Sequence, residues 1–275
     1  MMIEATGWGG ETALAIVAIY GALATIAGCD RAEHPSPAVE PSVRPVPSVS
    51  AIAPTSAHSP AAGSASPATP ASPGWQPVSA DHLCVTSGAL TPVGQTRFSV
   101  DVPTFRAVTA ATSEPHAQLR FTYLGQTSTT RALGSGAVRQ QLGLKLRAQD
   151  PCNLVYVMWR IDPDQKLVVS IKQNPGQRTS RECGNRGYKN FKPKTSAPLP
   201  PLKPSSTHVL RADMTGGDLQ VRVDDALVWE GSLGPEAVAL EGPIGVRTDN
   251  VRIEAELLGP GNGTPRACGA TDESE

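Results

Sequence analysis

The sequence predicts an all-β fold, an antiparallel sandwich of two sheets, and three observations support this prediction. Apolar and polar residues alternate with period two along several segments, which is typical of strands that bury one face. Turn-forming residues separate these segments at short intervals, as antiparallel connections require. Helical spacing of apolar residues occurs at no comparable length. Many short strands without intervening helices favour a two-sheet sandwich or a barrel, and within that class we expect a jelly roll.

The chain begins with a segment that indicates export. Thr12 to Gly28 is a mostly apolar run of 17 residues without a charge, short of the roughly 20 that cross a bilayer core as a helix. Its last residues, Ile26, Ala27 and Gly28, together with Cys29, resemble a bacterial lipobox. The resemblance implies a signal peptide over residues 1–28 and lipidation of Cys29. Because residues 1–11 contain two Glu and no Lys or Arg, unlike the usual positive start, an uncleaved anchor and a buried soluble helix remain alternatives.

A low-complexity segment follows the lipobox. Residues 31–80 contain 11 Pro, 10 Ser and 11 Ala, so 32 of these 50 residues cannot present a periodic apolar face. We expect residues 29–80 to form the lipidated cysteine and a disordered linker, whose polyproline II bias gives a contour on the order of 150 Å. Near its end, Trp75 is expected to pin the linker onto the following domain.

The remaining residues are enough for one domain. Residues 81–268 can bury most of their unfolded surface in a single core, and residues 269–275 are expected to be a disordered tail. Four cysteines lie in this range, and an even number in an exported chain predicts two disulfides, with three possible pairings. We favour Cys84 with Cys268, which joins the ends of the domain, and Cys152 with Cys183, which pins a basic loop to the start of a strand.

Period-two alternation assigns the faces of five predicted strands. One face is apolar in each of them: Leu119, Phe121 and Tyr123; Leu142, Leu144 and Leu146; Val155, Val157, Trp159 and Ile161; Leu167, Val169 and Ile171; Leu219, Val221 and Val223. Asp162, Pro163 and Asp164 separate two strands, and Asp224 with Asp225 occupies a predicted tight hairpin turn.

Two segments near the end of the chain carry a family resemblance. Residues 219–229, LQVRVDDALVW, and residues 242–253, GPIGVRTDNVRI, resemble the closing strands of concanavalin A-like lectin/glucanase domains. The same similarity extends to laminin G-like modules and to the domain of 3-keto-disaccharide hydrolases, although Asp225 stands where that family usually has glycine. The resemblance implies a jelly roll. Because this fold hosts lectins, hydrolases and scaffolds, it does not choose among these functions.

No residue pattern predicts a catalytic or metal site. Glu254 and Glu256 share a strand face, which a retaining glycosidase pair also does, but we interpret them as solvated carboxylates. Asp162, Asp164 and Asp218 could contribute oxygen ligands to calcium, but no segment resembles a calcium-binding loop. His82, His116 and His208 are expected as surface or strand residues, and no serine has the glycine flanks of a nucleophile elbow. We therefore assign no catalytic residue, no metal ligand and no cofactor.

Two features indicate ligand binding. The first is a polar face that the strands assemble if they share a sheet: Arg120, Lys145, Arg147, Tyr156, Arg160, Lys172 and Arg211. Within it, Tyr156 beside Arg147 and Arg160 offers an aromatic with hydrogen-bond donors, as a sugar site requires. The second is a basic segment, residues 166–203, which has nine Lys and Arg against one acid.

The candidate ligand-binding residues are Arg147, Tyr156, Arg160, Arg181, Arg186, Tyr188 and Lys189. Ordinary solvated surfaces are the alternative interpretation of both features. The expected protein is an exported, lipid-anchored monomer of the cell envelope, in the periplasm or at the cell surface. Its expected partners are the membrane and a glycan, lipopolysaccharide or acidic polysaccharide, and not nucleic acid. A carbohydrate-active enzyme and a passive envelope scaffold are the alternatives.

Overall fold

The computed structural model describes residues 74–111, 114–261 and 268. The predicted signal peptide, Cys29, residues 29–73 of the linker and the tail at 269–275 lie outside the described residues. The described residues form sixteen strands, a turn of 3-10 helix at Ala80–His82 and two short α-helices.

The strands are β1 (Trp75–Pro77), β2 (Leu83–Ser87), β3 (Thr91–Pro92), β4 (Arg97–Val100), β5 (Thr104–Thr109), β6 (His116–Gln126), β7 (Gln140–Asp150), β8 (Asn153–Asp162), β9 (Lys166–Lys172), β10 (Tyr188–Phe191), β11 (Thr195–Ser196), β12 (Thr207–Thr215), β13 (Asp218–Val223), β14 (Ala226–Ser232), β15 (Gly245–Asp249) and β16 (Val251–Pro260). The helices are α1 (Ser180–Cys183) and α2 (Gly234–Val238).

These strands pair antiparallel into two sheets, which confirms the predicted fold class. The nine-stranded sheet has the order β11-β14-β13-β12-β6-β16-β4-β3, with β1 also paired to β16, and the seven-stranded sheet has the order β10-β9-β8-β7-β15-β5-β2. The last two strands are inserted among early ones, since β15 lies between β7 and β5, and β16 between β6 and β4. This interleaving of the two chain ends is what a jelly roll requires.

The core lies between the two sheets and consists of the faces that alternation predicted. The predicted apolar residues of β6, β7, β8, β9 and β13 belong to one cluster, with Ile161 and Leu167 partly buried at its margin. Phe121 and Trp159 meet edge to face across the core, with ring centroids 5.8 Å apart, a geometry that adds to the stability gained by area burial. The tight turn between β13 and β14 also forms as predicted, with positive φ at Asp224 and Asp225.

The outer face of β8 was predicted to be polar, but most of it is apolar and buried. Leu154, Tyr156 and Met158 point away from the core, yet they are 0%, 3% and 5% exposed and form a second apolar cluster. The segment between β9 and β10 is tied to the start of β8 and brings Tyr188 onto Tyr156. The strand therefore buries both faces, which a single period-two pattern cannot reveal.

Both favoured disulfides are present, Cys84 with Cys268 and Cys152 with Cys183. The ordered sandwich begins earlier than the predicted boundary at residue 81, because Trp75–Pro77 pairs with the end of β16. The Trp75 ring also lies 4.9 Å from the guanidinium of Arg211. Over the described part of the chain, no helix combines the length and apolar character needed to cross a bilayer.

Candidate functional site

A groove on the outer face of the seven-stranded sheet collects basic side chains. It has a volume of about 440 Å³; strands β5, β15, β7, β8, β9 and β10 form its floor, and residues 133–135 and 184–185 line its sides. Its basic lining residues are Arg106, Arg139, Lys145, Arg160, Lys172 and Arg247. None of the described residues that line it is a carboxylate. The groove therefore has a strongly positive lining.

The strand register explains this concentration of charge. Arg247 on β15 lies directly opposite Arg106 on β5 and opposite Gly143 on β7, which offers no side chain. Two residues along β7, Lys145 lies opposite Tyr156 on β8. Because neighbouring strands are about 4.8 Å apart, directly opposed side chains on one face are in contact range. Like charges placed this way repel, so the floor requires a compensating anion.

Asp249 is the buried counterion of the floor. Its carboxylate accepts a hydrogen bond from Arg247 Nε at 2.9 Å and from Gln141 Nε2 at 2.7 Å, and lies 3.8 Å from Arg106. The side chains of Arg247 and Asp249 are 8% and 1% exposed. Burial acts to raise the pKa of Asp249, but the charges of Arg247 and Arg106 outweigh it and hold that pKa below the ordinary value.

Two stacked tyrosines form the aromatic part of the groove. Tyr156 is buried and Tyr188 is 39% exposed, with their rings 6.0 Å apart and inclined by 21°. Arg247 lies 4.9 Å from the Tyr156 ring centroid and Lys172 lies 5.4 Å from that of Tyr188, both within cation–π range. Tyr188 thus presents an accessible aromatic side chain next to fixed positive charge.

The pKa values of the two tyrosines are shifted in opposite directions. Burial raises the pKa of Tyr156 far above its ordinary value. Burial acts in the same direction on Tyr188, but the charges of Arg247 and Lys172 outweigh it and lower the pKa of that phenol. Arg247 Nη1 also donates to the Tyr188 hydroxyl at 3.4 Å. At this phenol the positive side chains therefore have a larger effect on the pKa than burial does.

The pKa of Arg139, another residue of the groove lining, is lowered as well. Burial lowers its pKa, and the positive charges of Arg160 and Arg247 lower it further. A bound anion would relieve this repulsion, because an opposite charge favours the charged form of each arginine. The groove is therefore electrostatically suited to an anionic ligand.

A disulfide-braced loop holds Tyr188 in place. The Cys152–Cys183 bond joins α1 to the residue before β8. Asn153 Nδ2 donates to Gln177 O at 2.9 Å, and its Oδ1 accepts from the backbone N–H of Asn174 at 2.9 Å. A capping box between Thr179 and Glu182 begins α1. This basic segment is consequently an ordered wall of the groove.

Gly187 sets the direction of the chain into β10. Its φ is +78°, and a Cβ there would lie 2.4 Å from both Asn174 Nδ2 and Gln173 O. Any other residue would be strained and would displace the loop. The position of Tyr188, the next residue, depends on this glycine.

Three of the seven predicted ligand residues line the groove: Tyr156, Arg160 and Tyr188. Lys145 and Lys172, from the wider predicted polar face, line it as well. Arg160 lies at one end, where it pairs with Asp164 at 3.3 Å. The predicted grouping of β7, β8 and β9 side chains on one face is therefore present in the structure.

The other four predicted residues are not among the described lining residues. The expected position of Arg147 beside Tyr156 is wrong. A bulge gives Arg147 a φ of +47°, and its guanidinium donates to Val238 O at the end of α2 and to Leu240 O just after it. Arg186 donates to the carbonyls of Glu182 and Cys183. Lys189 pairs with Glu236 at 2.6 Å, and Arg181 is exposed on α1.

Other predicted groupings are separated by the fold. Arg120 on β6 and Arg211 on β12 belong to the nine-stranded sheet, so they cannot share the groove face. Glu254 and Glu256 are also on that sheet, where they pair with Arg97 at 2.9 Å and Arg120 at 3.3 Å. Among the described residues, no cluster of three or more His, Cys, Asp or Glu side chains could hold a metal ion.

Sequence reasoning missed Arg106, Arg247 and Asp249. The signal for Arg106 was present in the alternation of Phe105 and Ala107, which are buried on the inner face of β5. The residues Val246 and Thr248 similarly alternate with Arg247 and Asp249 on β15. Both strands are short, so their two or three alternations are weak evidence until the neighbouring strands are known.

Comparisons with known proteins find similarity at the level of folded structure. No protein-family model and no curated protein matches the chain. A carbohydrate-binding module, CBM66 from Bacillus subtilis, aligns with a TM-score of 0.43 and 14% identity over 63% of this chain and 91% of that one. The metal-free carbohydrate recognition domain of Emp46p aligns with a TM-score of 0.42 and 7% identity, over 65% of this chain and 87% of that one.

A putative glycosyl hydrolase from Parabacteroides distasonis aligns with a TM-score of 0.39 and 9% identity, over 66% of this chain and 88% of that one. These neighbours include both binding and hydrolytic proteins. With TM-scores below 0.5, the ligand of this chain has to be argued from its own residues.

Proposed function

We propose that this protein is a cell-envelope lipoprotein whose sandwich binds an acidic glycan in the basic groove without cleaving it. The observation that carries the proposal is the lining itself: six Lys and Arg side chains, together with the tyrosine pair, and no carboxylate among its described residues. A ligand that satisfies such a lining has to bring its own negative charge.

The tyrosines favour a sugar polymer over a small inorganic anion. Tyr188 keeps 39% of its surface exposed and is braced from below by Tyr156. An exposed, immobilised aromatic ring can pack on the apolar face of a pyranose, while the surrounding arginines donate charge-assisted hydrogen bonds to its anionic substituents. Glycoside hydrolysis by the usual route needs two carboxylates that flank the scissile bond. Because the described lining residues include no carboxylate, the groove supports binding of the glycan without cleavage.

Binding is tested with polygalacturonate as the acidic polymer and dextran as the neutral one, using isothermal titration calorimetry at increasing salt. Saturable binding is expected for polygalacturonate, with an affinity that falls as salt rises. Replacing Arg139 with Gln is expected to weaken it about tenfold, because a hydrogen bond to a charged group contributes roughly 1.5 kcal/mol.

Arg120→Gln is the matched control, since it removes the same charge from the outer face of the nine-stranded sheet. Its affinity is expected to equal that of the unaltered protein. Equal weakening by the two variants would assign the effect to net charge alone. The absence of saturable binding to polygalacturonate would overturn the assignment of an acidic glycan to this groove.

The second part of the proposal concerns attachment. We infer that Cys29 is lipidated and that the Pro/Ser/Ala-rich segment after it tethers the sandwich to the membrane. The two disulfides support an oxidising compartment for the domain. After expression in a bacterial host with a lipoprotein pathway, the protein is expected in the membrane fraction, with the mass of a lipidated N-terminal cysteine. Cys29→Ser is expected to remain unlipidated; an unmodified Cys29 in the unaltered protein would contradict this part.

A further inference from the structure

Away from the groove, a serine, a histidine and an aspartate form a continuous hydrogen-bonded chain. Ser206 Oγ lies 3.1 Å from His208 Nε2, and His208 Nδ1 lies 2.7 Å from Asp224 Oδ2. Ser206 precedes β12, His208 lies on it, and Asp224 begins the turn between β13 and β14. The contacts follow the order of nucleophile, base and orienting carboxylate in a catalytic triad, an arrangement defined by geometry and not by position in the sequence.

The hydrogen-bonding capacities of the three groups determine where the protons lie. An ionised carboxylate only accepts, so the neutral His208 ring carries its proton on Nδ1 and donates it to Asp224. Nε2 then has a free lone pair and accepts from the Ser206 hydroxyl. The backbone N–H of Lys203 donates to Ser206 Oγ at 3.2 Å, which leaves the hydroxyl proton for the histidine. The network therefore holds the serine as a proton donor to its base.

Packing fixes the histidine ring in this orientation. Its side chain is 11% exposed and its ring centroid lies 5.4 Å from that of Trp159 and 6.1 Å from that of Phe121. Asp224 is held from the other side, because its Oδ1 accepts from the backbone N–H of Val209 at 2.8 Å. Ser206 stays partly exposed. The histidine is thus held by packing and the Asp224 carboxylate, although 43% exposed, by two hydrogen bonds, while the serine residue is partly exposed.

We propose that Ser206 is a nucleophile for acyl transfer from small, solvent-exposed esters. Ser206 Oγ forms a bond to the carbonyl carbon while its proton passes to His208 Nε2, and the same proton then leaves with the alcohol as the carbon–oxygen ester bond breaks. Water, deprotonated by His208, releases the acyl group as a carboxylic acid and restores the serine. The Lys203 N–H, which donates to Ser206 Oγ at 3.2 Å, helps to hold the nucleophile in place, while the negative charge of the tetrahedral intermediate develops on the carbonyl oxygen of the ester.

This site is independent of the groove, because its residues belong to strands and turns of the nine-stranded sheet. The test uses the full chain with a fluorophosphonate probe, which reports an activated serine, and p-nitrophenyl acetate, which reports turnover. Peptide mapping is expected to find the probe on Ser206, and intact mass to find one acetyl group after reaction with the ester. Ser206→Ala is expected to abolish both signals.

The decisive variant is Asp224→Asn. Asparagine can still accept from Val209, but its amide donates toward Nδ1 and so moves the histidine proton to Nε2. The serine then loses its acceptor, and the labelling rate is expected to fall about 100-fold, the range that a general base supplies. Ser196→Ala, at an exposed serine of β11, is the matched control and should label normally. Labelling that does not require Ser206, or that is unchanged in a folded Asp224→Asn protein, would overturn the proposal.

Discussion

The outer faces of the two sheets carry charge in opposite ways. On the nine-stranded sheet, cations and anions pair across neighbouring strands, as in Arg97 with Glu254 and Arg120 with Glu256, and the arginine side chains are 55% and 51% exposed. On the seven-stranded sheet, Arg247 is 8% exposed, and its ion-pair partner Asp249 is 1% exposed and also faces Arg106. These charges on the nine-stranded sheet are paired and exposed to solvent. On the seven-stranded sheet, Arg247 and Asp249 are buried, and the groove lining has an excess of positive charge.

This difference shows which charged side chains are informative about function. Exposed ion pairs contribute little, because water screens them and ordering two long side chains costs entropy. Desolvated like charges cost stability unless a counterion compensates them, and the floor compensates Arg106 and Arg247 with the buried carboxylate of Asp249. The six basic residues of the groove lining outnumber this carboxylate, and this excess of positive charge is the basis for proposing an anionic ligand.

Removing the buried counterion gives the largest expected effect. Asp249→Asn leaves Arg247 and Arg106 without a negative partner in a desolvated floor, and the free energy of unfolding is expected to fall by about 3 to 5 kcal/mol. Glu254→Gln breaks the corresponding pair on the nine-stranded sheet and is expected to cost less than about 1 kcal/mol. Denaturant unfolding of the three proteins measures both values. Equal costs would remove the distinction between the two faces.

The dependence of stability on pH provides a second test of the ion pair between Asp249 and Arg247. The folded pKa of Asp249 is held below its ordinary value by Arg247 and Arg106, which outweigh the opposing effect of burial. The stability that Asp249 contributes is therefore complete above about pH 4, the ordinary aspartate range, and is lost as the pH falls toward the lower folded pKa. Other carboxylates titrate in both proteins, so the unaltered protein should lose more stability on acidification than Asp249→Asn does.

Local pattern was enough to predict which residues face the core. Leu119, Leu144, Val157 and Val221 were assigned from alternation alone, and each is fully buried, because the two-residue period of a strand is a local property. The favoured disulfide pairing was also correct. It was chosen because one pair joins the ends of the domain and the other holds the basic segment against the start of a strand.

The groove could be predicted only in part, because it depends on which strands are neighbours. Tyr156 and Lys145 were grouped correctly since they lie on consecutive strands, β8 and β7. Arg247 comes from a strand near the end of the chain that inserts next to β7, a pairing that no local pattern encodes. Arg147 was misplaced because it lies in the irregularity between Leu146 and Asp150, which interrupts the period-two alternation of β7.

Removal of the Cys152–Cys183 disulfide is expected to have the next largest effect on stability. The Cys152–Cys183 bond closes a loop of 31 residues in sequence, and its replacement by two alanines is expected to lower the unfolding free energy by about 2 to 4 kcal/mol. Because Asn153, Asn174 and the capping box still hold part of the loop, the sandwich should remain folded.

Amide hydrogen exchange should therefore accelerate in α1 and β10, while β12 and β13 keep their protection. Loss of protection across both sheets at once would mean that the bond supports the whole sandwich, and that the groove wall is not a separately braced element.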